Sequence, residues 1–248
     1  MRLGLAALLA LLAHAATARA DPDALWKIIS EKCDPNWREY GDPKPCAKVD
    51  LDKGYVILKD MIGDTQYLLM PTDKITGIDD AAVLAPNKRN YFADAWAERH
   101  YTEDAAKRSL PRDVLSLAIN SVTARSQNQL HIHIDCLRAD VRDALAQGEA
   151  AIGDKWATFS EPLAGQHYQA MRVMGETLDG TDPFTLVADG IPGARAAMGR
   201  ETIVVAGASF AGKPGFVILS DTADLATGDR AGGEDLQDHS CALAKPRN

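Results

Sequence analysis

Gln129-Leu-His131-Ile-His133-Ile-Asp135-Cys136 alternates polar and apolar residues without a break up to its terminal cysteine. In an extended strand successive side chains point to opposite faces, so Gln129, His131, His133 and Asp135 share one face and Leu130, Ile132 and Ile134 the other. A helix would scatter the same residues around its circumference. The segment is therefore a strand with an apolar face to bury, and the chain must build a sheet to bury it. Two imidazoles separated by one residue lie about 7 Å apart along such a strand, close enough to converge on one substrate group.

The flanking sequence supplies the rest of an α+β fold. Asp23 to Lys32 reads as a short helix, and the turn formers from Asp34-Pro35 to Pro45 read as a loop. Tyr55 to Leu58 and Gln66 to Met70, ending at Pro71, read as two antiparallel strands, and Pro86 to Lys107 as a long amphipathic helix. Val114 to Ile119 and Leu130 to Leu137 follow as strands around the small polar loop Asn120 to Asn128. Helices are then predicted over Ala139 to Gln147 and Gly165 to Thr177, with a further helix over Pro183 to Met198 broken at Gly190-Ile-Pro192. Glu201 to Gly207 and Gly215 to Ser220 form a hairpin-like pair. The run Gly215 to Ser220 echoes the strand before Pro71, which predicts a C-terminal extension that is a degenerate second half.

Charge and export narrow the function. The 248 residues carry 27 Lys+Arg against 35 Asp+Glu, a net charge of −8, with no basic run, which excludes broad electrostatic binding to nucleic acid. Met1-Arg2, an apolar stretch from Leu3 to Ala16 and Ala18-Arg19-Ala20 read as a secretory signal peptide over residues 1–20, or a short membrane anchor. Those 14 apolar-run residues span roughly 21 Å as a helix, short of a ~30 Å hydrocarbon core. Cleavage would remove Arg2 and Arg19 and leave 25 basic against 35 acidic residues, −10. In an exported chain the four cysteines at 33, 46, 136 and 241 read as two disulfides, with Cys33–Cys46 and Cys136–Cys241 the preferred pairing of three and zinc ligation disfavoured by the lack of a C-x-x-C spacing.

Two chemistries fit the histidine strand. His131, His133 and Asp135 resemble the start of a zinc-hydrolase signature, with His167 or His239 available to complete it in space, although Cys136 stands where the next histidine should be. Alternatively, a neutral imidazole is a good nucleophile near pH 7 and splits a pyrophosphate displacement into two easier steps. The loop Ser121 to Asn128 offers hydroxyls, amides and the single positive charge of Arg125 for non-bridging oxygens.

The segments Gly54-Tyr-Val-Ile-Leu-Lys-Asp60, Gln66-Tyr-Leu-Leu-Met-Pro-Thr72, Ser116-Leu-Ala-Ile-Asn-Ser121, His131-Ile-His-Ile134, Cys136-Leu-Arg138, Gly165-Gln-His-Tyr168 and Gln237-Asp-His-Ser-Cys241 together resemble the bacterial CDP-diacylglycerol pyrophosphatase family of the histidine-triad-like superfamily. The resemblance implies an antiparallel sheet with flanking helices, a histidine-triad-like core about residues 50–140 within a catalytic domain 21–248, and hydrolysis of CDP-diacylglycerol to CMP and phosphatidate without a metal or other cofactor. It implies His131 as nucleophile and His133 as its partner, with Gln129 in place of the first histidine of the triad. Asn120, Arg125, Ser126, Asn128 and Gln129 are the expected substrate-binding residues. The implied partners are the lipid substrate, a membrane surface on the periplasmic side of the inner membrane, and a second copy in a homodimer. A zinc-dependent hydrolase and a non-catalytic exported nucleotide- or lipid-binding protein are the competing functions.

Overall fold

The computed structural model describes residues 21–245. The predicted signal or anchor lies outside them, and among the described residues no helix is long and apolar enough to cross a membrane. Nine strands form one antiparallel sheet: β1 Lys48–Asp50, β2 Tyr55–Lys59, β3 Tyr67–Pro71, β4 Leu115–Ile119, β5 Ile132–Cys136, β6 Ala157–Thr158, β7 Gln169–Met174, β8 Glu201–Phe210 and β9 Lys213–Thr222. Their spatial order is β1-β2-β3-β5-β4-β8-β9-β7-β6. The histidine strand thus lies inside the sheet, with His133 opposite Leu68 on one side and Ala118 on the other.

Alternation decides what each face buries. Leu130, Ile132, Ile134 and Cys136 join Leu69, Leu117, Val205 and Ile218 in the main core, under the helices α3 Tyr91–Ala97, α4 His100–Ala106 and α6 Pro183–Gly190. The opposite face carries two separate apolar clusters. One holds Val56, Leu58, Leu68 and Met70 beneath the N-terminal helices, and the other holds Val204, Val217 and Leu219 beneath α5 Ala139–Gln147. Between them β4 and β5 present a polar strip, including Ser116, His133 and Asp135, all buried.

The structure departs from the sequence reading in three predicted elements and adds the strands β1 and β6. The first helix runs on: α1 Ala24–Ile28 and a π turn Ile29–Cys33 lead into α2 Asp34–Tyr40 where a loop was expected. Pro35 follows the π turn, where Asp34 N donates to Ile29 O and the regular ladder is already interrupted, and the helix stops at Gly41 in the left-handed conformation, φ 67°. The long helix over 86–107 is two short ones and starts only at Asn90, whose side chain caps Ala93 N at 3.1 Å. Gly165 to Thr177 is a strand: Ala170 faces one cluster and Met171 the other, a period of two, and β7 pairs with β9. The broken helix after Pro183 and the final hairpin form as expected.

Both preferred disulfides are present, Cys33–Cys46 and Cys136–Cys241. The second holds the C-terminal tail across the polar strip, where Asp238 N donates to Cys136 O at 2.9 Å and Arg138 N to Leu236 O at 3.0 Å.

Candidate active site

His131 immediately precedes β5 and His133 lies within it, with ring centroids 4.9 Å apart and nearly perpendicular planes. Both are buried, at 7% and 4% exposure, and both line a cavity of about 240 Å³.

Their hydrogen bonds fix opposite tautomers. His131 Nδ1 donates to the Gln129 carbonyl at 2.6 Å, which leaves the Nε2 lone pair free. The Gln66 amide nitrogen donates to His133 Nδ1 and, at 3.1 Å, to Glu234 Oε1. His133 Nδ1 is therefore an acceptor, its proton sits on Nε2, and that Nε2 is buried without a protein partner. One ring offers a lone pair and its neighbour an N–H. Burial pushes both histidines below the ordinary 6.5, so both rings are neutral near pH 7.

Behind them the tail contributes a carboxylate and a third histidine. Glu234 lies 3.4 Å from His133 Nδ1 and accepts from Asn120 Nδ2 at 3.1 Å, while its own N–H donates to Asn120 Oδ1 at 3.1 Å. Burial raises the Glu234 pKa, but the surrounding groups outweigh it and hold the carboxyl below its usual range. His239 Nε2 is 3.5 Å from Glu234 Oε1 and its Nδ1 is 2.8 Å from Asp135 Oδ2, a bond that raises the His239 pKa. Asp135 is fully buried and raised by desolvation, partly offset by His239 and by Thr65 Oγ1 at 2.7 Å.

The expected site residues divide into two groups. His131, His133, Asn120 and Ser126 line the cavity together with Gln127 and Glu234. Arg125, Asn128 and Gln129 do not line it. The Arg125 guanidinium pairs with Asp79 and approaches Asn128 Oδ1 at 3.5 Å. The Gln129 side chain turns away to donate to Pro71 O and Asp73 O, both at 3.0 Å, so residue 129 holds His131 by its backbone. His167 is exposed in the turn before β7, outside the cavity lining. Among the described residues no group of three or more His, Cys, Asp or Glu is disposed to hold a metal, and Cys136 is bonded to Cys241. Sequence reasoning missed Glu234 and Gln66. The signal that could have found Glu234 was the Cys136–Cys241 pairing itself, which brings the residues before Cys241 onto the histidine strand.

A cavity that sets a lone-pair nitrogen beside an N–H on one face of an antiparallel sheet has the groups a hydrolase needs, and the comparisons with known proteins name a hydrolase. The family model of CDP-diacylglycerol pyrophosphatase matches residues 20–245. A curated CDP-diacylglycerol pyrophosphatase from Yersinia pestis is 41% identical over 224 residues, covering 90% of this chain and 86% of that protein. The chain belongs to the CDP-diacylglycerol pyrophosphatase family.

Proposed function

We propose that the enzyme hydrolyses CDP-diacylglycerol to CMP and phosphatidate through a nucleotidyl-histidine. The observation that carries the mechanism is the pair of opposed tautomers in one cavity. His131 Nε2 attacks the phosphorus bearing cytidine, a P–N bond forms, and the P–O bond to phosphatidate breaks. The His133 Nε2–H faces the departing oxygen and stabilises the charge that gathers there. The Gln129 carbonyl, bonded to His131 Nδ1–H, stabilises the cation that develops on the attacking ring. Water then displaces the imidazole and releases CMP. Because residue 129 contributes its backbone carbonyl to this bond, glutamine in place of the first triad histidine leaves the bond intact.

Asn120 and Ser126 are the substrate contacts in this reading, while Arg125, Asn128 and Gln129 shape the loop behind them. The first-half strand order β1-β2-β3-β5-β4 supports a histidine-triad-like core, with β8-β9-β7-β6 as the degenerate second half. The β4–β8 pairing within one chain supports a unit complete without a second copy. Two disulfides support an exported enzyme acting at the periplasmic face of the inner membrane.

The test is CMP release from CDP-diacylglycerol with rapid acid quench. Wild-type protein should yield a CMP–protein adduct within one turnover, and His131→Ala should lose turnover by at least ~10³-fold with its fold unchanged. Full activity in that variant, or hydrolysis with no adduct under single-turnover conditions, refutes the covalent step.

A further inference from the structure

The cavity that holds His131 and His133 is lined mostly by apolar side chains, with Lys59, Asp60, Ser126 and Gln127 as polar groups outside the cluster of the histidines, Asn120 and Glu234. Its walls are Leu25 and Ile28 from α1, Leu58 and Leu68 from β2 and β3, and Met61 and Ile62 from the tip of the hairpin that joins those strands. Met61 is 99% exposed and Ile62 59% exposed. The tip is held in shape: Gly63 has φ 70°, a Cβ there would collide with His239, and Asp64 N donates to His239 O at 2.9 Å. Two large apolar side chains thus stand in water at the rim of the catalytic cavity, on a tip braced by the tail that carries Glu234.

We propose that the Met61–Ile62 tip inserts into a lipid bilayer and that the adjoining α1 wall seats the acyl chains of the substrate as it enters. The inference rests on the CDP-diacylglycerol reading and names the part of the lipid this surface takes. A second copy fits less well. Two exposed side chains offer on the order of 300 Å², well below the ~800 Å² per partner of a stable interface, and a copy seated there would close the catalytic cavity. The charges near the tip also point to apolar insertion. Lys59 and Lys27 are outnumbered by Asp21, Asp60 and Asp64, with Lys27 paired to Asp21, so among the described residues this rim presents no net positive charge to anionic headgroups.

The experiment compares the full chain with its Met61→Asp/Ile62→Asp variant. CMP release is measured from long-chain CDP-diacylglycerol in phosphatidylcholine vesicles and from short-chain CDP-dihexanoylglycerol dispersed as monomers, and co-sedimentation is measured with substrate-free phosphatidylcholine vesicles. The variant should lose co-sedimentation, and its kcat/KM on vesicles should fall about ten-fold or more beyond whatever it loses on the dispersed substrate. Sedimentation of the wild type should persist at high salt. Equal losses on both substrates, no loss on either, or a change of molecular mass by light scattering overturns the inference, the last by assigning the tip to a second copy. Wild-type protein that sediments with vesicles but releases no CMP from either substrate would fail the functional reading alone.

Discussion

The two disulfides close loops of very different length, and that difference predicts both the size and the character of their loss. Cys33–Cys46 spans 13 residues and Cys136–Cys241 spans 105. Loop-closure entropy assigns them roughly 2.9 and roughly 4.8 kcal/mol of stability. All four cysteines are at most 3% exposed, so replacing either pair by alanine forfeits similar packing and the difference of about 2 kcal/mol isolates the loops. At a urea slope of about 2–3 kcal/mol per M, the midpoint should fall by about 1 M for Cys33→Ala/Cys46→Ala and about 2 M for Cys136→Ala/Cys241→Ala. The activities should separate further. Cys136–Cys241 fixes the tail that places Glu234 beside His133 and His239 beside Asp135, so its loss should lower kcat without denaturant, where both variants remain folded. The shorter bridge ties the N-terminal helices over β2 and β3, whose residues wall the cavity, so its loss should raise the apparent KM for the lipid. Equal midpoints, or a folded Cys136→Ala/Cys241→Ala variant with unchanged kcat, would refute the reasoning.

Gln66→Leu removes the amide that holds His133 Nδ1 as an acceptor and leaves that nitrogen 3.4 Å from Glu234, so the His133 pKa should rise and kcat should fall by about ten- to a hundred-fold, as read by histidine NMR titration and CMP release. Asp135→Asn removes the carboxylate charge behind the bond that raises His239, whose pKa should return toward 6.5 in the same titration; an unmoved value would sever the link between them. The acid limb of kcat/KM should lie below pH 6.5, because burial depresses His131 and attack needs the neutral ring. Stability moves in step: below pH 6.5 the unfolded chain takes up protons at residues 131 and 133 that the folded chain refuses, so stability falls as pH drops from 6.5 toward the folded pKa values. His239 acts oppositely, since its raised pKa contributes stability that is present below 6.5 and lost as pH rises through the folded value. A His131→Asn/His133→Asn variant that keeps the wild-type acid dependence of stability would contradict the assignment.

What the sequence disclosed follows the range over which its signals act. Strict alternation placed His131, His133 and Asp135 on one face, because a strand's period of two is a local property. Disulfide pairing was legible from turn content and export. The helix over 165–177 failed because Tyr168, Met171 and Arg172 fall at helical i, i+3, i+4 spacing, a local signal that pairing with β9 overrides. Arg125 was read as the phosphate cation from its own loop, which does not reveal that Asp79, 46 residues earlier, binds it. Glu234 meets Asn120 across 114 residues, a contact no local pattern encodes.

These contacts change how an acidic protein can handle a doubly charged pyrophosphate. The cavity lining carries neutral imidazoles, amides, a hydroxyl and the ionised Glu234, with Lys59 and Asp60 beside the tip contributing formal charges that cancel, while the Arg125 guanidinium is held by Asp79. Charge attraction is therefore a weak source of affinity for the nucleotide portion, and Glu234 opposes it. Stabilisation in the reaction must come from oriented N–H donors, of which the His133 Nε2–H is already buried and unpartnered. Affinity must then come largely from the other end of the substrate, through the apolar wall and the exposed tip at its rim. Interactions with a remote, unreacting part of a substrate can supply the free energy that positions the reacting part. A site built this way discriminates by the lipid: a free nucleotide presents the same pyrophosphate chemistry to His131 but nothing to α1 or to Met61 and Ile62. In the proposed reaction the polar cluster and the apolar wall divide the work, the wall supplying binding that the neutral imidazoles at the attacking position do not.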